Sequence, residues 1–278
     1  MSDDELTARA VRFLTYLSSK KSELNPSGML LMDETAVFFE YPRRDTVDFT
    51  SARHVVLLST GFASMRITVA LTVTATGTKL PPLLIWKGAK KPIQKSGAVY
   101  VAYQERAWMN SELLIKWIDL MFPALLNFCD GKGIVWDSMR AHIAKDVKAK
   151  CISKKIDMMV IPGGLTPYLQ AGDIGIFKSF KDCLSSVIDD WKRSDRVQYT
   201  KNGNPRPPSV EEVVAWVSNS WKAVPNDVVH ESIAASGFAV EYRDWHIAKH
   251  DVYGGLLQSK WVSAEEEASD DADGADIA

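Results

Sequence analysis

The sequence predicts an α/β fold in which helices flank a mixed sheet and a helical C-terminal appendage follows. Three observations carry this reading. Apolar, β-branched and aromatic runs fill residues 29 to 86, separated by turn residues. From about residue 110, short apolar strands alternate with segments of helical period. After residue 209 the apolar spacing is helical throughout.

The elements follow in order. DELTARAVRFLTYLSSKKS, residues 4 to 22, sets Leu6, Val11, Leu14 and Leu17 on one helical face, and NPSG at 25 to 28 breaks the helix. MLLMDETAVFFEY reads as the first strand, and HVVLLST and MRITVALTVTATG read as two more. The last of these alternates at Ile67, Val69, Leu71 and Val73. LPPLLIWKG is a shorter extended piece that Pro81 and Pro82 confine to a sheet edge or a strand start. KGAKKPIQK, at 87 to 95, reads as a basic loop. Ser111 is the expected cap of a helix through Leu114, Ile115, Ile118 and Met121. GIVW is then a strand, HIAKDVKAKCISK a helix and IDMMVIP a strand. The loop PGGLTPYLQAG leads into a helix expected to begin near Asp173. KNGNPRPPS, at 201 to 209, is a turn-rich linker. It precedes a helix with Val213, Val214, Val217 and Trp221 at apolar spacing, and a shorter helix ending at Gly237.

Composition narrows the function classes. The chain has 278 residues, 46% hydrophobic and 24% charged, enough for a sizeable core. No run reaches the ~18 consecutive apolar residues of a membrane helix, and the acidic N-terminus lacks a secretory design. Cys129, Cys151 and Cys183 are widely spaced, which argues against a disulfide framework and suits an intracellular protein. The net charge of -2 conceals an asymmetry, because VSAEEEASDDADGADIA at the C-terminus holds seven acids and no base. The rest of the chain is therefore mildly basic, at about +5, which permits an anionic partner. The tail has too little apolar content to fold and is expected to be disordered.

Three carboxylates stand out by position. Asp33 lies in the first strand, Asp137 ends the GIVW strand, and Asp173 opens the helix after MMVIP. In a mixed sheet the first strand and a later parallel strand tend to be central neighbours, so these acids can converge at one sheet edge. Converging anions repel, and a hard divalent cation with oxygen ligands, Mg²⁺ or Mn²⁺, relieves the repulsion. A metal pair about 3.5–4 Å apart would suit phosphodiester chemistry. Each aspartate alone reads equally as a helix cap or turn former, Asp173 above all. It is the joint placement of the three that points to chemistry.

Four stretches carry a family resemblance. LLMDET is similar to the first-acid strand of the DDE superfamily endonucleases, in the pogo-like branch of the mariner-type transposases. IVWDSMRAHI resembles the second-acid motif, with a His five places after the Asp. VIPGGLTPYLQAGDIGIFKSFK resembles the third-acid segment, and WVSNSWKAVPNDVVHESIAASGF the helical C-terminal region. The resemblance covers roughly residues 28 to 240. It implies an RNase H-like fold at 28–200, preceded by a helix and linker (1–27) and followed by a linker and helical appendage (201–261) and the acidic tail (262–278). It implies that Asp33, Asp137 and Asp173 are catalytic and hold two Mg²⁺ or Mn²⁺ ions. The expected activity is endonucleolytic cleavage of DNA and strand transfer, with a nuclear location and room for a homodimer. The family most often has Asn where Ser138 stands. Its N-terminal helix-turn-helix modules are expected to be missing, since only the helix at 4 to 22 precedes the first catalytic strand. That leaves a rival reading as an idle or domesticated nucleic-acid-binding or interaction protein.

Further candidates surround the trio. Arg140 and His142 match motif positions and could contact the scissile phosphate, or simply form the exposed start of a helix. Gln170 precedes Asp173 and could approach DNA. Lys87, Lys90 and Lys91 sit in the basic loop and could track a phosphate backbone. Glu34 adjoins Asp33 but should point to the opposite face. Trp86 and Trp108 read as core or rim packing rather than base-stacking platforms. His246 and His250 read as a solvated helix face.

Overall fold

The computed structural model describes residues 2–40, 61–122 and 131–275. The chain opens on helix α1, Asp3–Glu23, capped by the Ser2 side chain accepting from the Glu5 N–H. Acids fill its first turn and Lys20 and Lys21 its last, complementing the helix dipole. Its buried stripe includes Leu6, Val11, Leu14 and Leu17, as the spacing requires.

Five strands follow. They are β1 (Met29–Phe38), β2 (Arg66–Thr74), β3 (Leu83–Lys87), β4 (Lys91–Ser96) and β5 (Val99–Gln104). The expected strand at 54 to 60 lies outside the described residues. Pro82 immediately precedes β3, as its missing N–H requires, yet β3 is interior to the sheet. Only residues 88 to 90 of the basic stretch lie outside strands. Lys91–Ser96 forms the edge strand β4, paired antiparallel to β5. Exposed lysines and Pro92 are what an edge strand carries to discourage further pairing, and they obscure its strand character in sequence.

The alternating half begins with α2, Ser111–Met121, capped by Asn110 rather than Ser111. The Asn110 side chain accepts from the Leu113 N–H. Then come β6 (Lys132–Trp136), α3 (Lys145–Ser153), β7 (Ile156–Val160), a short α4 (Thr166–Leu169), one π-helical turn at Gly172–Ile176, and α5 (Phe177–Arg193). Among the described residues seven strands form one mixed sheet in the order β4-β5-β3-β2-β1-β6-β7. β1 is antiparallel to β2 and parallel to β6.

The sheet is buried on both faces. Met29, Leu31 and Val37 of β1 enter a core with Leu14 and Leu17 of α1 and Phe180, Leu184 and Ile188 of α5. Leu30 and Met32 enter a second core with Leu114, Trp117 and Ile118 of α2 and Val147 of α3. The strand's two-residue period thus separates two cores. Burial of so many large side chains, at about 1.5–3 kcal/mol each, is the main stabilising term.

Helices α6 (Val210–Ala223) and α7 (Asn226–Ile233) pack over the first core, with Val213, Val217 and Trp221 buried. Ser209 and Glu212 form a capping box at the start of α6. At its other end Lys79 donates to the carbonyls of Trp221, Lys222 and Val224, binding the appendage to the sheet. The last helix, α8 (Gly254–Ala275), buries Leu257 and Trp261. It runs on through the acidic stretch expected to be unstructured, because alanine and glutamate readily extend an anchored helix. No helix among the described residues is long and apolar enough to cross a membrane.

Gly131 sits where the chain enters β6, at φ +78°, and its carbonyl accepts from the Asn25 N–H at 3.0 Å. A Cβ there would lie 2.6 Å from the Asn25 nitrogen and 3.0 Å from Leu24 Cα, both backbone. Gly131→Ala is expected to cost about 2–3 kcal/mol. Gly97 has φ +58° but open space around it, so Gly97→Ala should cost about 1 kcal/mol. Thermal melts of the two variants, compared with wild type, check the difference.

Candidate active site

The site grows out of the β1–β6 pairing. Leu31 pairs with Val135, so two residues further along, where β6 ends, Asp33 and Asp137 stand side by side. Both follow the alternation of Leu31 and Val135, so they share the face covered by α5. The π-helical turn brings Asp173 to the same edge. Asp173 does not cap its own helix, because α5 begins only at Phe177 and no side chain caps the turn.

The charges of the three acids act on one another, after burial. Burial, then the charges of Glu34, Asp137 and Asp173, push the Asp33 carboxyl well above the usual carboxylate range, although the Glu34 N–H bonded to it works the other way. Partial burial raises Asp173 as well; Lys181 pulls it down and Asp137 pushes it up. Asp137 goes the opposite way. Burial would raise it, but bonds from His142 and the Met139 N–H hold it below its ordinary value.

His142 organises this arrangement. Its ring is buried and stacks on Trp136, with ring centroids 4.9 Å apart and planes 10° from parallel. Nδ1 donates to Asp137 Oδ1 at 2.6 Å, and Nε2 reaches Glu34 Oε1 at 3.3 Å. Burial opposes a charge on the ring, but the bonds to Asp137 and Glu34 lift its pKa to about 10. At neutral pH it is an imidazolium clasped between two carboxylates. The alternative of an exposed helix start is corrected for His142, since α3 begins only at Lys145 and residues 140 to 143 form a turn. Arg140 of that turn is exposed.

Gln170 is also buried and does not face solvent. Its Nε2 donates to the Met32 carbonyl at 3.2 Å, while its own backbone carbonyl accepts from the N–H groups of Asp173 and Ile174. It therefore ties the turn carrying Asp173 to the strand carrying Asp33. Lys90 and Lys91 lie at the far side of the sheet, four strands from β1, or about 19 Å at the usual strand spacing. Lys90 pairs with Glu112, and Lys91 lies over Tyr103. Lys87 ends β3, two strands from β1. Sequence reasoning missed the part played by Glu34, which does point away from Asp33 but anchors His142. It also missed Trp136, the floor on which the imidazole rests. A His five positions after a strand-ending Asp was the available signal for both.

The donor set is entirely carboxylate, which suits a hard divalent cation, and the raised Asp33 reports repulsion that such a cation would relieve. Among the described residues no three His, Cys, Asp or Glu side chains already stand together at ligand distance. The acids share an edge without being drawn into a closed cluster.

A family profile described as DDE superfamily endonuclease matches residues 64–232, well over half of the chain. Two "Pogo transposable element with KRAB domain" proteins, from Mus musculus and Homo sapiens, are 26% and 27% identical over 200 residues, 71% of this chain. The chain spans 33% of the length of each. Among solved structures, a Mos1 transposase paired-end complex with left transposon end superposes with a TM-score of 0.53 at 14% identity, over 85% of this chain and 60% of that one. A pre-cleavage Mos1 transpososome gives 0.53 at 12%, over 93% of this chain and 64% of that one. At that identity the likeness concerns the fold, which is RNase H-like.

Two substitutions test the positioning network. His142→Ala leaves Asp137 and Glu34 without their cation and should destabilise the protein by about 3–5 kcal/mol in denaturant titrations. Gln170→Leu keeps much of the volume but removes the bond to Met32. It is expected to cost about 1–3 kcal/mol. A loss below about 0.5 kcal/mol in either case would show that the bond in question does not hold the site.

Proposed function

The chain belongs to the DDE superfamily endonucleases, and from that premise we propose that it is a metal-dependent DNA endonuclease and strand-transferase domain derived from a transposase. The observation that carries the proposal is the placement of Asp33 and Asp137 where β1 and β6 part, with Asp173 at the same edge, where burial and then the neighbouring carboxylates raise Asp33. Asp33, Asp137 and Asp173 would hold Mg²⁺ or Mn²⁺. One of the Mos1 structures that superposes on this chain, at a TM-score of 0.53, is a paired-end complex with Mn. When bound, a metal pair supplies Lewis-acid activation of the attacking oxygen and neutralises charge at the leaving oxygen of the phosphodiester.

The protein's own residues do the positioning. Asp137 is presented through one oxygen, Oδ1, which His142 and the Met139 N–H both grip. The aspartate rotamer is thereby set before any ligand arrives, which is the preorganisation phosphoryl transfer requires. Glu34 and Trp136 hold the imidazolium, and Gln170 sets Asp173 against β1. The substrate on this reading is DNA and the location nuclear, and two copies of the chain act as a pair.

Nicking of supercoiled plasmid by the purified chain tests the reading. Wild type is expected to nick with Mn²⁺ or Mg²⁺, and Asp137→Asn to lose at least about a hundredfold in rate. Mn²⁺ should also raise the melting temperature of the wild type and not of Asp33→Asn, since only the intact trio gains by binding it. Equal nicking by wild type and Asp137→Asn would overturn the enzymatic reading. If Mn²⁺ also failed to stabilise the wild type, the fold would stand as a binding scaffold with an idle site.

A further inference from the structure

The third acid is carried differently from the other two. Asp33 stands on a paired strand and Asp137 directly follows one, whereas Asp173 rides on a single π-helical turn, Gly172–Ile176, that no side chain caps. The N–H groups of Asp173 and Ile174 share one acceptor, the Gln170 carbonyl. A π-helical turn is a rare, local departure from the α-helix, so its shape depends on what packs against it. Glycines flank the acid on both sides. A Cβ on Gly172 would lie 2.6 Å from the nearest carbon of the buried Phe177 ring. A Cβ on Gly175 would lie 2.6 Å from Ser232 Oγ, but 3.7 Å from Val228 Cγ1 and 4.0 Å from Ser232 Cβ. On the α7 side the Ser232 hydroxyl alone occupies the space that a side chain at 175 would need, and Ser232 is 3% exposed.

Ser232 has a firm seat, because α7 is also held from its other side. His230 and Ser232 are two residues apart, about 200° around the helix. The His230 ring packs over Gly77, in the turn after β2, where a Cβ would run into it. Lys79, just past the same turn, holds the end of α6 through the Val224 carbonyl. β2 pairs with β1, and Leu71 lies opposite Asp33. Helix α7 therefore bridges from the neighbour of the Asp33 strand to the turn carrying Asp173, a second route beside the Gln170 bond. Gly175 does not have a positive φ, so alanine would suit its helical backbone better than glycine does. What glycine supplies there is the close approach of Ser232.

We propose that Ser232 is a positioning residue of the site. Its hydroxyl, seated on Gly175, sets how deep the π-helical turn lies and so where Asp173 stands relative to Asp33 and Asp137. The proposal rests on the reading of the three acids as metal ligands. On it, the helical appendage belongs to the site as well as covering the first core. Ser232 acts only through Asp173, and a ligand displaced by about an ångström is enough to lose a large factor in binding or rate.

The test is a double-mutant cycle read by calorimetric titration of the 278-residue chain with Mn²⁺. Gly175→Ala sets a methyl group against the hydroxyl and is expected to weaken Mn²⁺ binding about tenfold. Ser232→Ala leaves the turn a gap and should weaken it about threefold. With both substitutions the methyl group fills the gap, and binding should return to within about twofold of wild type, tighter than in either single variant. Gly77→Ala is the control for lost stability alone. Its φ of +85° strains any side chain, and the exposed His230 ring can swing aside. The melting temperature should therefore fall while Mn²⁺ affinity stays within about twofold of wild type. Amide exchange in EDTA gives a metal-free readout. The Asp173 and Ile174 N–H groups should exchange about tenfold faster in Gly175→Ala and return toward the wild-type rate in the double variant. Losses that add in the double variant, an unchanged affinity in Gly175→Ala, or an equal loss in Gly77→Ala would each overturn the proposal. If the wild type binds no Mn²⁺, the metal reading fails and exchange decides alone. An unchanged rate at Asp173 and Ile174 in Gly175→Ala then overturns the positioning role, and a faster one restored by Ser232→Ala sustains it.

Discussion

Parallel pairing of β1 with β6 sets Asp33 beside Asp137 at the end of a strand, and two half-buried like charges so placed repel. The surrounding structure answers that repulsion unequally. Asp137 receives a buried imidazolium and a backbone N–H and stays ionised, whereas Asp33 receives one backbone N–H and is pushed up. Burial and then the neighbouring carboxylates raise Asp33, and the position of the pair follows from topology rather than from any single residue.

The same strand works on both faces. Asp33 points toward α5 while Glu34, one residue on, points toward α2, yet both belong to one network because His142 joins Glu34 to Asp137 around the end of β6. The imidazole can do this only because Trp136 provides a flat, buried floor. Gln170 performs the matching task for the third acid by bonding to the carbonyl just before Asp33. A site assembled from three segments of chain is thus referenced to one rigid strand, which is how sheets hold functional groups to sub-ångström tolerance.

Charge on the rest of the sheet has a different logic. The lysines of β4, Lys91 and Lys95, lie at the sheet edge over Tyr103 and Tyr100, and Lys90 just before them pairs with Glu112 of α2, far from the aspartates. At the start of β2 the charge is held differently, with Arg66 over the exposed ring of Trp108, which a turn strained at Ala107 presents.

The sequence by itself determined the fold class and most of the elements. Residues 4 to 22, GIVW, IDMMVIP and the α6 stripe each carry a period that local geometry reads directly. It could not show that Lys91–Ser96 is a strand, because edge strands are polar by necessity. Nor could it choose Asn110 over Ser111 as the cap of α2, since both side chains can accept the bond. Only the tertiary structure decided that His142 is buried, that Gln170 faces β1 and that Trp108 is open. Those outcomes depend on which segments meet across more than a hundred positions of chain, as Glu34 and His142 do. No local pattern encodes a meeting at that distance.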